Sequence, residues 1–153
     1  MPFTVGIDSY VTVAEANGYV EELYLVNDAA REEWAQRSQL DKEVLLRRAT
    51  EAIERLPFSG KKAALTQTLS FPRYPSSAVP DGIKRAQVEE AVALSNPVYA
   101  EAMEETNELR ARGVFKYRIG KLSEQFGKGT PLPVCPRAYN LLWRYMSGGY
   151  DIW

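Results

Sequence analysis

Leu40-Asp41-Lys42-Glu43-Val44-Leu45-Leu46-Arg47-Arg48-Ala49-Thr50-Glu51-Ala52-Ile53-Glu54-Arg55-Leu56 decides the fold class. Leu40, Val44, Leu45, Ala49, Ala52, Ile53 and Leu56 recur at helical spacing and make one apolar stripe. Arg47, Arg48, Glu51, Glu54 and Arg55 mostly lie away from it. Pro57 stops this helix and Gly60 marks the loop that follows. A second strong signal stands upstream. Thr12-Val13-Ala14-Glu15 is a capping box, in which the hydroxyl accepts a backbone N–H and the carboxylate reaches back. Val13, Ala16, Val20, Leu23 and Tyr24 continue it at helical spacing, and Gly18 weakens the middle while permitting close packing. A short helix carrying Trp34 is expected to start after Asn27 or Asp28.

Downstream, Leu65-Thr66-Gln67-Thr68-Leu69-Ser70-Phe71-Pro72-Arg73 reads as an irregular connector, with Leu69 and Phe71 pointing to one side of an extended segment. Pro72 and Pro75 push their preceding residues towards extended conformations. Pro80-Asp81 then launches a helix to about Ser95, because proline suits the first turn and a carboxylate there offsets the dipole. Ile83, Ala86, Gln87, Ala91 and Leu94 lie along its inner face. Asn96-Pro97 breaks it, and Val98 to Arg112 is readable as an acidic helix or as a mobile loop.

Val114 to Ile119 changes period. Aromatic or apolar residues alternate with bases, and Gly120-Lys121 can turn the chain, so a β-hairpin or long β-arm is expected. Two strands are marginal alone, so the arm either packs on its own domain or pairs with another chain. Gly127 to Pro133 is a linker, and Pro136 opens a last helix that Gly148-Gly149 ends. The tail Tyr150-Asp151-Ile152-Trp153 carries three large apolar side chains, which dock on a partner, return to the core or stay disordered. The expected fold is therefore mainly α: a small helical bundle with a β-hairpin or arm and a C-terminal helix plus extended tail. Residues 1–112 form the bundle core, 113–128 the β-arm, and 129–153 the linker, C-terminal helix and aromatic tail, in one domain overall.

The 153 residues are 45% hydrophobic and 25% charged, ordinary values for a soluble domain with a single core. No apolar run is long enough for a bilayer, and the N-terminus lacks the marks of a signal peptide, so cytoplasmic production is expected. There is no histidine and a single cysteine, Cys135. That removes His-based general bases, Cys/His nucleophile pairs and thiolate zinc sites. Gly127-Lys128-Gly129-Thr130 lacks the frame of a phosphate loop. The doublets Glu21-Glu22, Glu32-Glu33, Glu89-Glu90 and Glu104-Glu105 read as solvated helix faces, since adjacent helical residues diverge. The expectation is no enzyme, no metal and no cofactor.

Charge is unevenly spread although the net charge is only −1. Residues 1–36 hold seven acids against Arg31, and residues 110–128 hold six bases against Glu124. These are either compensating solvated faces or complementary patches that set the register between copies. Phe115, Tyr117 and Phe126 with Lys116, Arg118, Lys121 and Lys128 combine rings with cations, the pairing used by single-strand binders.

Four segments in this order carry a resemblance: Ser9-Tyr10-Val11-Thr12-Val13-Ala14-Glu15-Ala16 with Tyr19; Leu46-Arg47-Arg48-Ala49-Thr50-Glu51-Ala52-Ile53; Gln67-Thr68-Leu69-Ser70-Phe71-Pro72-Arg73; and Val79-Pro80 with Ile83-Lys84-Arg85-Ala86. Together with Val114 to Ser123 they resemble tailed-phage head-to-tail connector (adaptor or head-completion) proteins. Some members of that family are labelled DnaT-like single-strand-DNA-binding proteins. The acidic stretch Val98 to Arg112 and the aromatic tail depart from the family pattern.

The resemblance implies a helical subunit of a homo-oligomeric ring, usually of twelve copies. That ring lies below the portal protein in the virion neck, joins tail or neck proteins, and passes DNA without sequence specificity. It implies no membrane partner, and assembly in the bacterial host cytoplasm. Tyr145, Tyr150, Ile152 and Trp153 are then candidates for docking on the portal, and Phe115, Lys116, Tyr117, Arg118 and Lys121 for contact with a neighbouring subunit or with DNA. The alternative is a single-strand-DNA-binding protein of the DnaT-like kind.

Overall fold

A computed structural model describes residues 2–111 and 134–147. Within them the protein is mainly helical: α1 (Val13–Leu23), α2 (Ala29–Gln36), α3 (Gln39–Glu54), α4 (Asp81–Leu94), α5 (Pro97–Ala111) and α6 (Pro136–Leu142), followed by a 3-10 turn at Trp143–Tyr145. The described residues contain no sheet, only isolated bridges. The expected β-arm at 113–128 and the tail from Tyr150 lie outside them.

Local chemistry accounts for the helix starts. Thr12 Oγ1 accepts the Glu15 N–H at 3.0 Å, and Glu15 returns the bond to the Thr12 N–H at 3.2 Å, so the expected capping box is present. Ser38 caps α3 through the Asp41 N–H. Pro80 stands as the N-cap of α4, with Asp81 in its first turn. Asp28 caps α2 only by position, its carboxylate accepting instead from the Leu25 N–H. The stretch after Asn96 is helical, so the loop alternative for Val98 to Arg112 is set aside through Ala111.

Helix α4 is the axis of the bundle. Helices α1, α2, α3, α5 and α6 all pack against it. Its residues from Ala86 to Val92 are buried without interruption, so no face of that turn meets water. Two apolar clusters flank it. One joins Ile53, Leu56, Phe58, Leu69, Phe71, Ile83 and Leu142, and the other joins Val11, Val20, Trp34, Leu46, Val88 and Val92. Val134, Cys135, Ala138, Tyr139 and Met146 belong to the first, so the last helix is part of the same core as α3 and α4.

Buried polar groups call for partners, and those of Gln87 have them. Gln87 is fully buried and joins three segments: its Nε2 donates to Ser9 Oγ at 2.6 Å and to the Leu46 carbonyl at 3.1 Å, and its Oε1 accepts the Tyr10 N–H at 2.9 Å.

Three sequence expectations are corrected. Leu40 is 72% exposed and Val44 is also exposed. At about 100° per residue they stand opposite the buried arc of Leu45, Leu46, Ala49, Thr50, Ala52 and Ile53. A Cβ at Gly18 would meet nothing within 4 Å, so no close packing depends on that glycine. The Glu89-Glu90 doublet is buried, not solvated, because α4 has neighbours on every side of that turn.

Candidate nucleic-acid interface

Between α3 and α4 the chain makes a short antiparallel ribbon. Lys62 pairs with Arg73 across it. The Ala63 N–H donates to the Pro72 carbonyl at 3.0 Å and the Tyr74 N–H to the Lys61 carbonyl at 2.9 Å. Gly60 enters it with φ +80, a conformation that favours glycine. The peptide bonds Phe71-Pro72 and Tyr74-Pro75 are cis.

Gln67 closes the loop beyond the ribbon. Its Oε1 accepts the Ala64 N–H at 3.0 Å, and its Nε2 donates to the carbonyls of Leu69 at 2.8 Å and Pro72 at 2.9 Å.

The base of the ribbon is anchored in the core. Leu69 and Phe71 are both buried, on the shared side expected from their spacing. The ring of Phe71 meets Phe58 edge-on at 4.8 Å and Tyr145 at 5.6 Å. Glu54 takes hydrogen bonds from Tyr10 Oη, Ser70 Oγ and the Ser70 N–H, so it is a satisfied anchor. Desolvation, with the Glu54 hydrogen bond and charge added, pushes the Tyr10 phenol well above its ordinary value. Arg73 donates from Nη2 to the Phe58 carbonyl at 3.1 Å and lies over the rings of Phe58 and Phe71 at 5.9 and 5.7 Å.

The outer surface of the ribbon is different. Lys61 and Lys62 are exposed, Leu65 is 101% exposed and Tyr74 is 63% exposed. The Lys61 ammonium sits 4.8 Å from the Tyr74 ring centroid. No acidic residue occurs from Arg55 to Pro80, while four bases do. Cations beside an exposed ring suit a phosphate backbone and a stacked base.

The buried carboxylates of α4 have a structural role. Glu89 accepts from Tyr24 Oη at 2.5 Å and lies 3.7 Å from Arg137 Nη1, tying α4 to the end of α1 and to α6. Glu90 is fully buried. It accepts the Cys135 N–H at 2.6 Å and Tyr99 Oη at 3.1 Å from each oxygen, so one side chain joins α4, α5 and the start of α6. Burial raises the Glu90 carboxyl to about 6, against the opposing pull of the Cys135 and Tyr99 hydrogen bonds. Burial first, and the Glu90 charge second, push the Cys135 thiol up to about 12. Cys135 is buried and packs in the first apolar cluster.

Of the residues singled out in the sequence, Tyr145 is half-buried against Phe71, and its carbonyl accepts the Ser59 N–H at 2.9 Å. Phe115, Lys116, Tyr117, Arg118, Lys121, Tyr150, Ile152 and Trp153 lie outside the described residues. Among the described residues no helix is long and apolar enough to cross a membrane, and no three His, Cys, Asp or Glu side chains cluster to hold a metal ion.

A family model described as "Putative DnaT-like ssDNA binding protein" matches residues 3–152. The chain belongs to that family. No curated protein and no solved structure matches it. In this DnaT-like family member, the cations Lys61 and Lys62 and the ring of Tyr74 escaped the reading of the sequence. The signal was present, in the missing acids between Arg55 and Pro80. It was passed over because Leu69, Phe71 and the prolines mark the segment as a scaffold, and the ribbon that orients the cations depends on pairings that periodicity does not reveal.

Proposed function

We propose that this chain binds single-stranded DNA without sequence specificity and does so without covalent chemistry. The observation that carries this reading is the family match over residues 3–152, since the family's own description names that ligand. The mechanism is electrostatic and planar. Lysine and arginine side chains replace counterions on the phosphates, and exposed rings stack on unpaired bases. Phe115, Lys116, Tyr117, Arg118 and Lys121 supply both components, and the acid-free ribbon at Lys61, Lys62 and Tyr74 is of the same chemical kind. With a net charge of −1 for the whole molecule, binding must come from local patches. Replacing Lys116, Arg118 and Lys121 by Ala is expected to weaken binding to an oligo-dT strand. It should also reduce the slope of log affinity against log salt by about 2, at ~0.7 per phosphate contact. Unchanged affinity and slope would remove these residues from the interface.

A second reading is a head-to-tail connector subunit of a tailed phage, favoured by the ordered segments from Ser9 to Ala86 that resemble that family. Here copies meet side to side and close by rotation into a ring below the portal, in the virion neck, and DNA passes through the channel. The C-terminal helix and the tail at Tyr150, Ile152 and Trp153 would dock on the portal protein, and neck or tail proteins would bind below. Negative-stain imaging with and without portal rings tests it. Deleting Tyr150 to Trp153 should abolish portal attachment and leave the fold intact; a chain that stays solitary beside assembled portals counts against it.

A further inference from the structure

We propose that the ribbon between α3 and α4 is a contact surface for single-stranded DNA, with Lys61 and Lys62 facing phosphates and the Tyr74 ring stacking on a base. This inference rests on the DNA-binding reading above and assigns it a place in the fold.

Three independent features point to an anionic, planar partner. First, the stretch from Arg55 to Pro80 holds four bases and no acid. Of these, Lys61 and Lys62 are exposed, the Lys62 ammonium lying 3.4 and 3.5 Å from the Gln67 and Thr68 carbonyls, while Arg73 is held at the Phe58 carbonyl. Second, Tyr74 leaves most of its surface to water at 63% exposure, while Lys61 sits 4.8 Å from its ring centroid, so a stacking face and a charge come from one place. Third, the surface is held in advance. Gln67 makes three hydrogen bonds within the loop, Glu54 holds Ser70, and Arg73 is fixed to the Phe58 carbonyl. Ordering the ribbon therefore adds little entropic cost on binding. Bases already paired in a duplex present no face to Tyr74, so the arrangement favours unpaired strands.

The test uses the full-length chain and a fluorescein-labelled 20-mer of dT, followed by anisotropy across a KCl series. The double variant Lys61→Ala/Lys62→Ala is expected to lower the salt slope by about 1.4, at ~0.7 per lost phosphate contact. Tyr74→Ala is expected to weaken binding about tenfold with the slope unchanged, within the usual range for one stacked base. Tyr74→Phe should retain wild-type affinity. Far-UV circular dichroism confirms that each variant is folded.

If the wild type binds and these variants bind equally well, the ribbon is not the contact surface, while the DNA-binding reading stands. If the wild type does not bind, both fall. If the variants keep DNA affinity but change sedimentation, the ribbon serves a protein contact and the proposal is overturned.

Discussion

Glu90→Gln is expected to stabilise this protein, and to do so only above a defined pH. The wild-type carboxyl is fully buried among neutral partners, the Cys135 N–H and the Tyr99 hydroxyl. Burial raises its value from 4.5 to about 6 in the fold. The folded state therefore holds this proton to higher pH than the unfolded chain does. The contribution of Glu90 to stability is complete below about pH 4.5 and is lost as pH rises through about 6. The difference is worth about 2 kcal/mol. An amide of the same shape keeps an acceptor and never acquires the charge. At pH 8 the variant should exceed the wild type by up to about 2 kcal/mol, or about 4–8 °C in Tm for a chain of this size. Near pH 4.5 the two should melt together.

Scanning calorimetry of both proteins from pH 4.5 to 8 measures this difference directly, and other titrating groups cancel between them. Glu90→Ala provides the contrast. It strands the Cys135 N–H and the Tyr99 hydroxyl and should destabilise at every pH, by about 1–3 kcal/mol for each buried group left unpaired. A Glu90→Gln protein that is less stable than wild type at pH 8, by an amount that does not vary with pH, would refute the reasoning.

Three further outcomes are expected. Tyr10→Phe removes the phenol that donates to Glu54 and accepts the Phe71 N–H at 3.3 Å, and should cost about 1–2 kcal/mol in urea denaturation. Gln67→Ala should leave global unfolding nearly unchanged while amide exchange at Ala63 and Tyr74 accelerates, because local opening of the ribbon is separable from the core. Cys135 should resist a disulfide reagent at pH 8 in the native protein and react fully once unfolded, since burial holds its thiol at about 12; prompt reaction in the native state would contradict that burial.

Much of the helical frame was legible because its signals are local. The Thr12–Glu15 box, the Leu45-to-Ile53 stripe and the Pro80-Asp81 start each depend on neighbours in sequence, and each is present in the structure. What escaped depends on neighbours in space. Glu89 and Glu90 read as solvated because a carboxylate doublet on one helix gives no sign that five other helices surround it. Gln87 was legible as an inner residue, but its bonds to Ser9, Tyr10 and Leu46 span 41 or more positions of sequence. The ribbon was the largest omission. Its prolines and its buried Leu69 and Phe71 describe the side that faces the core, whereas the exposed Lys61, Lys62 and Tyr74, which the proposal uses, have no periodicity to announce them.

The central claim is that local cations and rings on a nearly neutral helical bundle hold unpaired DNA. Equilibrium binding of the wild-type chain to a labelled 30-mer of dT, to a mixed-sequence single strand and to the matching duplex, at one near-physiological salt concentration, tests it most directly. Saturable binding of similar strength to both single strands, with the duplex clearly weaker, is the predicted result. No saturable binding to either single strand, or a preference for the duplex, would contradict it.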